Sequence, residues 1–301
     1  MALGSDTGGS VRLPASYGGL IGFKPSWGRI SRHGLVTYAS SLDCVGIIAS
    51  EMEQVRKVFG LLRDSPGADA SLRPRSRPHE LRSGRRIAIP REFEAESLAT
   101  ALARLGTMPG VSLHSLSLPA SLLADTLPAY YVGAMREAAS NLARFRHQPA
   151  LYGGEAGCFG PEVRRRLRWA AGIPSGVYQQ ALSIREEIKS TLVGLFQAYD
   201  FILMPTASKP PPFLATMPGP NNNDDDGLVD SFAGIRELTG SSAEWACDRF
   251  TVPASLAGLP AITLPLHPPT QLDAFIGTQL IGPPQGDEEL LQLCQDLLDH
   301  Q

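Results

Sequence analysis

Gly4-Ser5-Asp6-Thr7-Gly8-Gly9-Ser10-Val11-Arg12 begins three residues into the chain and runs on into Leu13-Pro14-Ala15-Ser16-Tyr17. Three hydroxyls, one carboxylate and three glycines fall within these nine residues. Glycine lets the backbone come close to a bound group, and successive N–H donors in such a turn point at one developing negative charge. A serine at the end of the turn is placed to be the nucleophile those donors serve. Met1-Ala2-Leu3 reads as the end of a strand that feeds the turn. Gly-Gly-Ser alone favours an ordinary glycine-rich turn; the sequence that follows weighs against it.

Composition bounds the rest. The 301 residues allow one large core or two domains, hydrophobic content is 43%, and the net charge of −3 is small. No basic block suggests a nucleic-acid grip. Cys44, Cys158, Cys247 and Cys294 are scattered without a CxxC pair and read as reduced structural cysteines; no metal site is expected. No apolar run is long enough to cross a membrane, so no membrane insertion is expected, and nothing reads as a targeting segment.

Hydrophobic patterning gives an α/β layout. Glu51 to Arg63, Leu118 to Phe145, Ser175 to Tyr199 and Glu288 to Leu298 read as helices. Arg86-Ile87-Ala88-Ile89-Pro90, Phe201-Ile202-Leu203-Met204-Pro205, Ala261-Ile262-Thr263-Leu264-Pro265 and Phe275 to Ile281 read as strands, two of them apolar enough to be covered on both faces. Surface loops are expected near 64–85 and 207–243, the second holding Asn221-Asn222-Asn223-Asp224-Asp225-Asp226. The expectation is a mixed central sheet covered by helices, with the glycine turn at one sheet end and some exposed apolar surface.

The turn continues through Gly22-Phe23-Lys24-Pro25-Ser26-Trp27-Gly28-Arg29-Ile30-Ser31 to Ser41-Leu42-Asp43. This dense, nearly ungapped run resembles the amidase signature family, whose core reads G-S-D-T-G-G-S-[IV]-R-x-P-A, then G-x-K-P-T-x-G-R-[VI]-S and S-L-D. Motifs of this length rarely arise by chance. Tyr130-Tyr131, Glu137 to Phe145, Phe159 to Arg166, Phe250 to Ile262 and Gln279 to Gly282 are similar, within that family, to the A subunits of tRNA-dependent amidotransferases. The likeness covers most of the chain as a single amidase domain, 1–301, and implies the amidase signature fold with its N-terminal part absent.

The resemblance implies roles residue by residue. Ser10 matches the acylated serine. Thr7, Gly8 and Gly9, with the Ser10 N–H, match the oxyanion hole. Asp6 and Arg12 match the pair that supports the turn. Arg185 matches the arginine that takes the glutamine carboxylate, and its planar fork suits that task. Asp248 matches the aspartate that takes the ammonium, and Tyr152 matches a substrate-binding tyrosine. About 150 or more residues precede this turn in the family, carrying a lysine base and a second serine that this sequence does not contain. Lys24 falls in the G-x-K-P motif, where the lysine is not the base. The chain by itself is therefore expected to be inactive or nearly so.

The implied activity is release of ammonia from glutamine, passed to a partner that converts glutamyl-tRNA(Gln) to glutaminyl-tRNA(Gln). The implied partners are the amidotransferase's B subunit and a small third subunit, with glutamyl-tRNA reached through the partner. No cofactor is expected on this chain; ATP and Mg are expected on the partner subunit. The wording around Gly34 to Gly46 is similar to fungal mitochondrial forms, implying the matrix. A free-standing amidase and a catalytically incomplete remnant are the alternatives.

Overall fold

The computed structural model describes residues 1–63, 72, 84–93, 96–145, 159–208, 231–241, 247–266 and 276–300. Eight strands form one sheet: β1 Ala2–Asp6, β2 Ile21–Lys24, β3 Cys44–Ala49, β4 Arg85–Pro90, β5 Val111–Leu116, β6 Phe201–Pro205, β7 Ala261–Leu264 and β8 Thr278–Ile281. Their spatial order is β1-β3-β2-β7-β8-β6-β4-β5. Pairing is antiparallel from β1 through to β6, and parallel for β6–β4 and β4–β5. The sheet is therefore mixed, as the sequence implies. The parallel β4–β5 pair needs a crossover, supplied by helix α3 Ala99–Thr107.

Alternation along the strands explains why both faces are covered. Successive side chains on a strand point to opposite faces. Ile202 and Met204 of β6 enter one apolar cluster, while Phe201 and Leu203 enter the other. Ile87 and Ile89 of β4 likewise part from Ala88. The first cluster is closed by α4 Ala120–Ala143, α5 Pro161–Gly172 and α6 Ser175–Leu195, through Tyr131, Ala170 and Ile188. The second is closed by α2 Met52–Leu62, α3 and α8 Asp287–Asp299, through Phe59, Leu105 and Leu293. Phe23 and Phe59 meet edge to face at 5.3 Å, a geometry worth roughly 0.5–1.5 kcal/mol beyond area burial.

Element ends differ from the periodicity in instructive ways. The long helix α6 stops at Leu195, and a turn carries the chain to Tyr199, whose N–H bonds Leu195 O at 2.9 Å. β8 starts at Thr278, and Phe275 lies outside the described residues. A helix, α7 Phe232–Ser241, occupies part of the stretch read as a surface loop, and it buries Phe232 and Ile235 one turn apart. The remainder of that loop, 209–230, lies outside the described residues, as does most of 64–83. β1 is an edge strand that leaves Met1 71% and Leu3 54% exposed. No described helix is long and apolar enough to cross a membrane.

Candidate active site

The glycine turn joins β1 to helix α1 Arg12–Tyr17. It is a strand–turn–helix element, and between Asp6 and Arg12 only the serine reaches solvent. Asp6, Thr7, Gly8, Gly9, Val11 and Arg12 are buried, and Ser10 is exposed. Gly9 sits at φ +148°, a region that side chains with a Cβ rarely adopt, and a Cβ there would collide with the Thr251 side chain. At Gly8 a Cβ would run into the Tyr130 hydroxyl. The turn can therefore take this shape only with glycine at both positions.

Asp6 and Arg12 lock the base of the turn. Arg12 Nε donates to Asp6 Oδ2 at 3.0 Å and Nη2 donates to Oδ1 at 3.0 Å, a bidentate pair with both side chains fully buried. The Val11 and Arg12 N–H groups add bonds to Asp6 Oδ2 at 3.3 and 3.4 Å. The other Arg12 donors reach Thr251 O at 2.8 Å, Gln279 Oε1 at 2.7 Å and Ser255 Oγ at 2.9 Å. All five guanidinium N–H groups are thus used. Burial alone pushes the Asp6 carboxyl up. The charge and hydrogen bonds of Arg12, with Lys24 nearby, outweigh it and hold Asp6 below its usual value.

A second carboxylate holds the other side. Thr7 Oγ1 donates to Asp43 Oδ1 at 2.7 Å, while Asp43 Oδ2 accepts the N–H groups of Tyr38 and Ala39 at 2.9 and 3.0 Å. With its flanks fixed, the turn presents Ser10 Oγ outward. Among the described residues, neither that hydroxyl nor the N–H groups of Gly8, Gly9 and Ser10 take a protein partner. An exposed hydroxyl beside several unspent N–H donors is an arrangement that can support acyl transfer.

Tyr130 borders the turn at Gly8, Tyr131 packs against Tyr130, and Asp248 is bonded to Tyr131. Tyr131 donates its hydroxyl proton to Asp248 Oδ2 at 2.8 Å, and burial pushes the Asp248 carboxyl up to about 6. Arg185 of α6 lies in a different set of contacts. Its Nη1 donates to Ser41 Oγ at 2.5 Å, its Nη2 to Ser41 O at 2.9 Å, and its Nε to Leu256 O at 3.2 Å. Ser41 in turn donates to Glu137 Oε1 at 2.5 Å. Arg185 thus connects to the turn through the Ser41–Asp43 loop and not by direct contact. Tyr152 lies outside the described residues. Lys24 is fully buried, and its ammonium donates to Pro25 O at 3.1 Å and Leu259 O at 2.6 Å, with no bond to the turn. Burial pulls its pKa down.

Several site residues carried no assigned role in the sequence: Thr251, Ser255 and Gln279 around Arg12, Asp43 beside Thr7, and Tyr130 with Tyr131. Each falls within a quoted motif block, so the signal was their place in those blocks. Among the described residues no group of His, Cys, Asp and Glu is arranged to hold a metal ion.

Comparison with known proteins gives the family. The amidase family profile matches residues 1–291. The A subunit of the mitochondrial glutamyl-tRNA(Gln) amidotransferase of Emericella nidulans is 33% identical over 99% of this chain and 69% of its own length. The corresponding A subunit of Symbiobacterium thermophilum is 33% identical over 98% of this chain and 62% of its own length. The crystal structure of the glutamyl-tRNA(Gln) amidotransferase A subunit from Thermotoga maritima superposes with a TM-score of 0.70 at 29% identity, covering 97% of this chain and 60% of that one. The chain spans roughly two thirds of the length of these relatives. A profile matched over residues 1–291, and relatives about one third identical over nearly all of this chain, show the family: the chain belongs to the amidase signature family.

Proposed function

We propose that this chain is the glutamine-hydrolysing subunit of a tRNA-dependent amidotransferase. Ser10 Oγ attacks the side-chain amide carbon of glutamine, and its proton passes, through a base of the kind the family carries ahead of this turn, to the departing amide nitrogen. The tetrahedral oxyanion is held by the N–H groups of Gly8, Gly9 and Ser10. Ammonia leaves, and water then cleaves the glutamyl ester to glutamate. One such donor is typically worth ~3–4 kcal/mol in the transition state. The observation that carries the reading is the exposed Ser10 on an otherwise buried, doubly braced turn with unspent N–H donors.

Arg185 and Asp248 supply opposite charges for the carboxylate and ammonium of the substrate, since a zwitterion leaving water needs both charges paired. Ammonia then passes to a second subunit, where ATP and Mg activate glutamyl-tRNA, with a small third subunit completing the assembly. The names of the fungal relatives support a mitochondrial location, and the proposal puts the chain in the matrix. The test is a glutaminase assay on the chain alone and with its partner subunits. Ammonia release that depends on Ser10 and rises on assembly supports the reading. Turnover of simple amides in preference to glutamine rejects it.

A further inference from the structure

Tyr131 is 3% exposed and sits between two charges. Its hydroxyl donates to Asp248 Oδ2 at 2.8 Å, and the Arg166 guanidinium lies 5.8 Å from its ring centroid. Tyr130 packs against its ring edge to face at 4.9 Å, and the Tyr130 hydroxyl abuts Gly8 of the nucleophile turn. Among the described residues Asp248 Oδ1 takes no hydrogen bond. One carboxylate oxygen is therefore tied down, and its twin is left for a cation.

We propose that Tyr131 is a positioning residue for substrate selection: its hydroxyl fixes the Asp248 carboxylate so that Oδ1 receives the α-ammonium of an amino-acid amide. The inference rests on the functional reading above. Asp248 is carried by the short 3-10 turn Cys247–Phe250. The Tyr131 hydroxyl, delivered by the long helix α4, holds its Oδ2. The charged and titratable groups facing Asp248 are Tyr131 and Tyr130 from α4, Arg166 from α5, Tyr17 and Arg12 from α1, and Asp6 from β1. Arg166 and Arg12 favour the ionised carboxylate, and Asp6 opposes it. The hydrogen bond from Tyr131 favours the ionised form and also fixes its orientation.

The test is Tyr131→Phe in the full chain. This variant keeps the ring packed between Tyr130 and Arg166 and removes only the donor. Glutamine affinity is measured by calorimetry, beside that of 4-carbamoylbutanoate, which is glutamine without its ammonium. The Asp248 titration is followed by carboxyl-carbon NMR on protein labelled at aspartate. The proposal expects about tenfold weaker glutamine binding, a hydrogen bond to a charged group being of that order, with the ammonium-free analogue unchanged. The Asp248 midpoint should move upward, and in an Asp248→Asn background Tyr131→Phe should cost nothing further. Equal weakening of both ligands, or an unmoved midpoint with unchanged glutamine affinity, overturns the proposal and leaves the functional reading standing. If the unmutated chain binds no glutamine while the midpoint still shifts, the functional reading fails and takes the substrate role of Tyr131 with it.

Discussion

Arg12→Met is the perturbation that most severely tests how the glycine turn is held. The guanidinium has five donors, and the substitution withdraws them from Asp6 Oδ1 and Oδ2, Thr251 O, Gln279 Oε1 and Ser255 Oγ, leaving Asp6 Oδ2 only the two long bonds from the backbone N–H groups of positions 11 and 12. Asp6 remains fully buried with no cation in contact. Removing one partner of a buried pair typically costs about 3–5 kcal/mol, because the surviving charge is left unpaired. Domains of this size lose about 2–4 °C of Tm per kcal/mol, so a fall of roughly 6–20 °C is expected. Urea and thermal unfolding by circular dichroism measure it. The control is Lys189→Met, which breaks the exposed 3.3 Å pair with Glu186 and should cost roughly 0.5 kcal/mol or less. The double variant Asp6→Asn/Arg12→Met should recover part of the loss, since no buried charge remains. The pH dependence has a definite sign. Asp6 titrates below its unfolded value, so its contribution is present above the unfolded pKa and is lost as pH falls through the folded one. An Arg12→Met cost no larger than that of Lys189→Met would refute the view that this pair holds the turn.

Three further outcomes follow, the first from the geometry and the other two from the proposed function. Gly9→Ala forces a Cβ into the φ +148° region and against Thr251, so it should cost of order 1–3 kcal/mol in unfolding experiments and abolish acylation of Ser10. Arg185→Ala should weaken glutamine binding about tenfold or more by calorimetry, the usual scale for a charged hydrogen bond, while an uncharged amide is unaffected; equal losses would make Arg185 a brace for Ser41 alone. Glutamine affinity should fall as pH drops through about 6, because Asp248, raised from 3.8 by burial, takes up a proton there and can no longer pair with the ammonium; calorimetry between pH 5 and 8, a window set roughly by that midpoint, reads this directly.

Much of this architecture was legible in the residues. The glycine turn, the doubly buried strands at Phe201–Pro205 and Ala261–Leu264, and the amphipathic helix at Met52–Leu62 follow from period and composition. The edge strand Val111–Leu116 escaped because its polar alternation, with Ser112, His114 and Ser115, lacks an apolar run. Helix Phe232–Ser241 escaped because the polar tract ending at Asp226 dominates its surroundings and the helix buries only a narrow stripe. Strand order was hidden altogether. β2 lies between β3 and β7, which come from opposite ends of the chain, and no local signal records that pairing. The site divided the same way. Ser10, Asp6 and Arg12 are local in sequence, so the motif carried them. The Arg12 bonds to Thr251, Ser255 and Gln279 span about 240 residues or more, and only tertiary structure brings them together.

Covalent capture of the acyl group tests the central claim most directly. The chain, alone and assembled with its partner subunits, is exposed to the activated γ-nitrophenyl ester of glutamate, quenched in acid, digested and mapped by tandem mass spectrometry. A good leaving group lessens the demand for a base, so the nucleophile reports its own identity. The account predicts a γ-glutamyl ester on Ser10 that vanishes in Ser10→Ala while the fold persists. A label on another serine or on Lys24, with Ser10 unmodified, would contradict it.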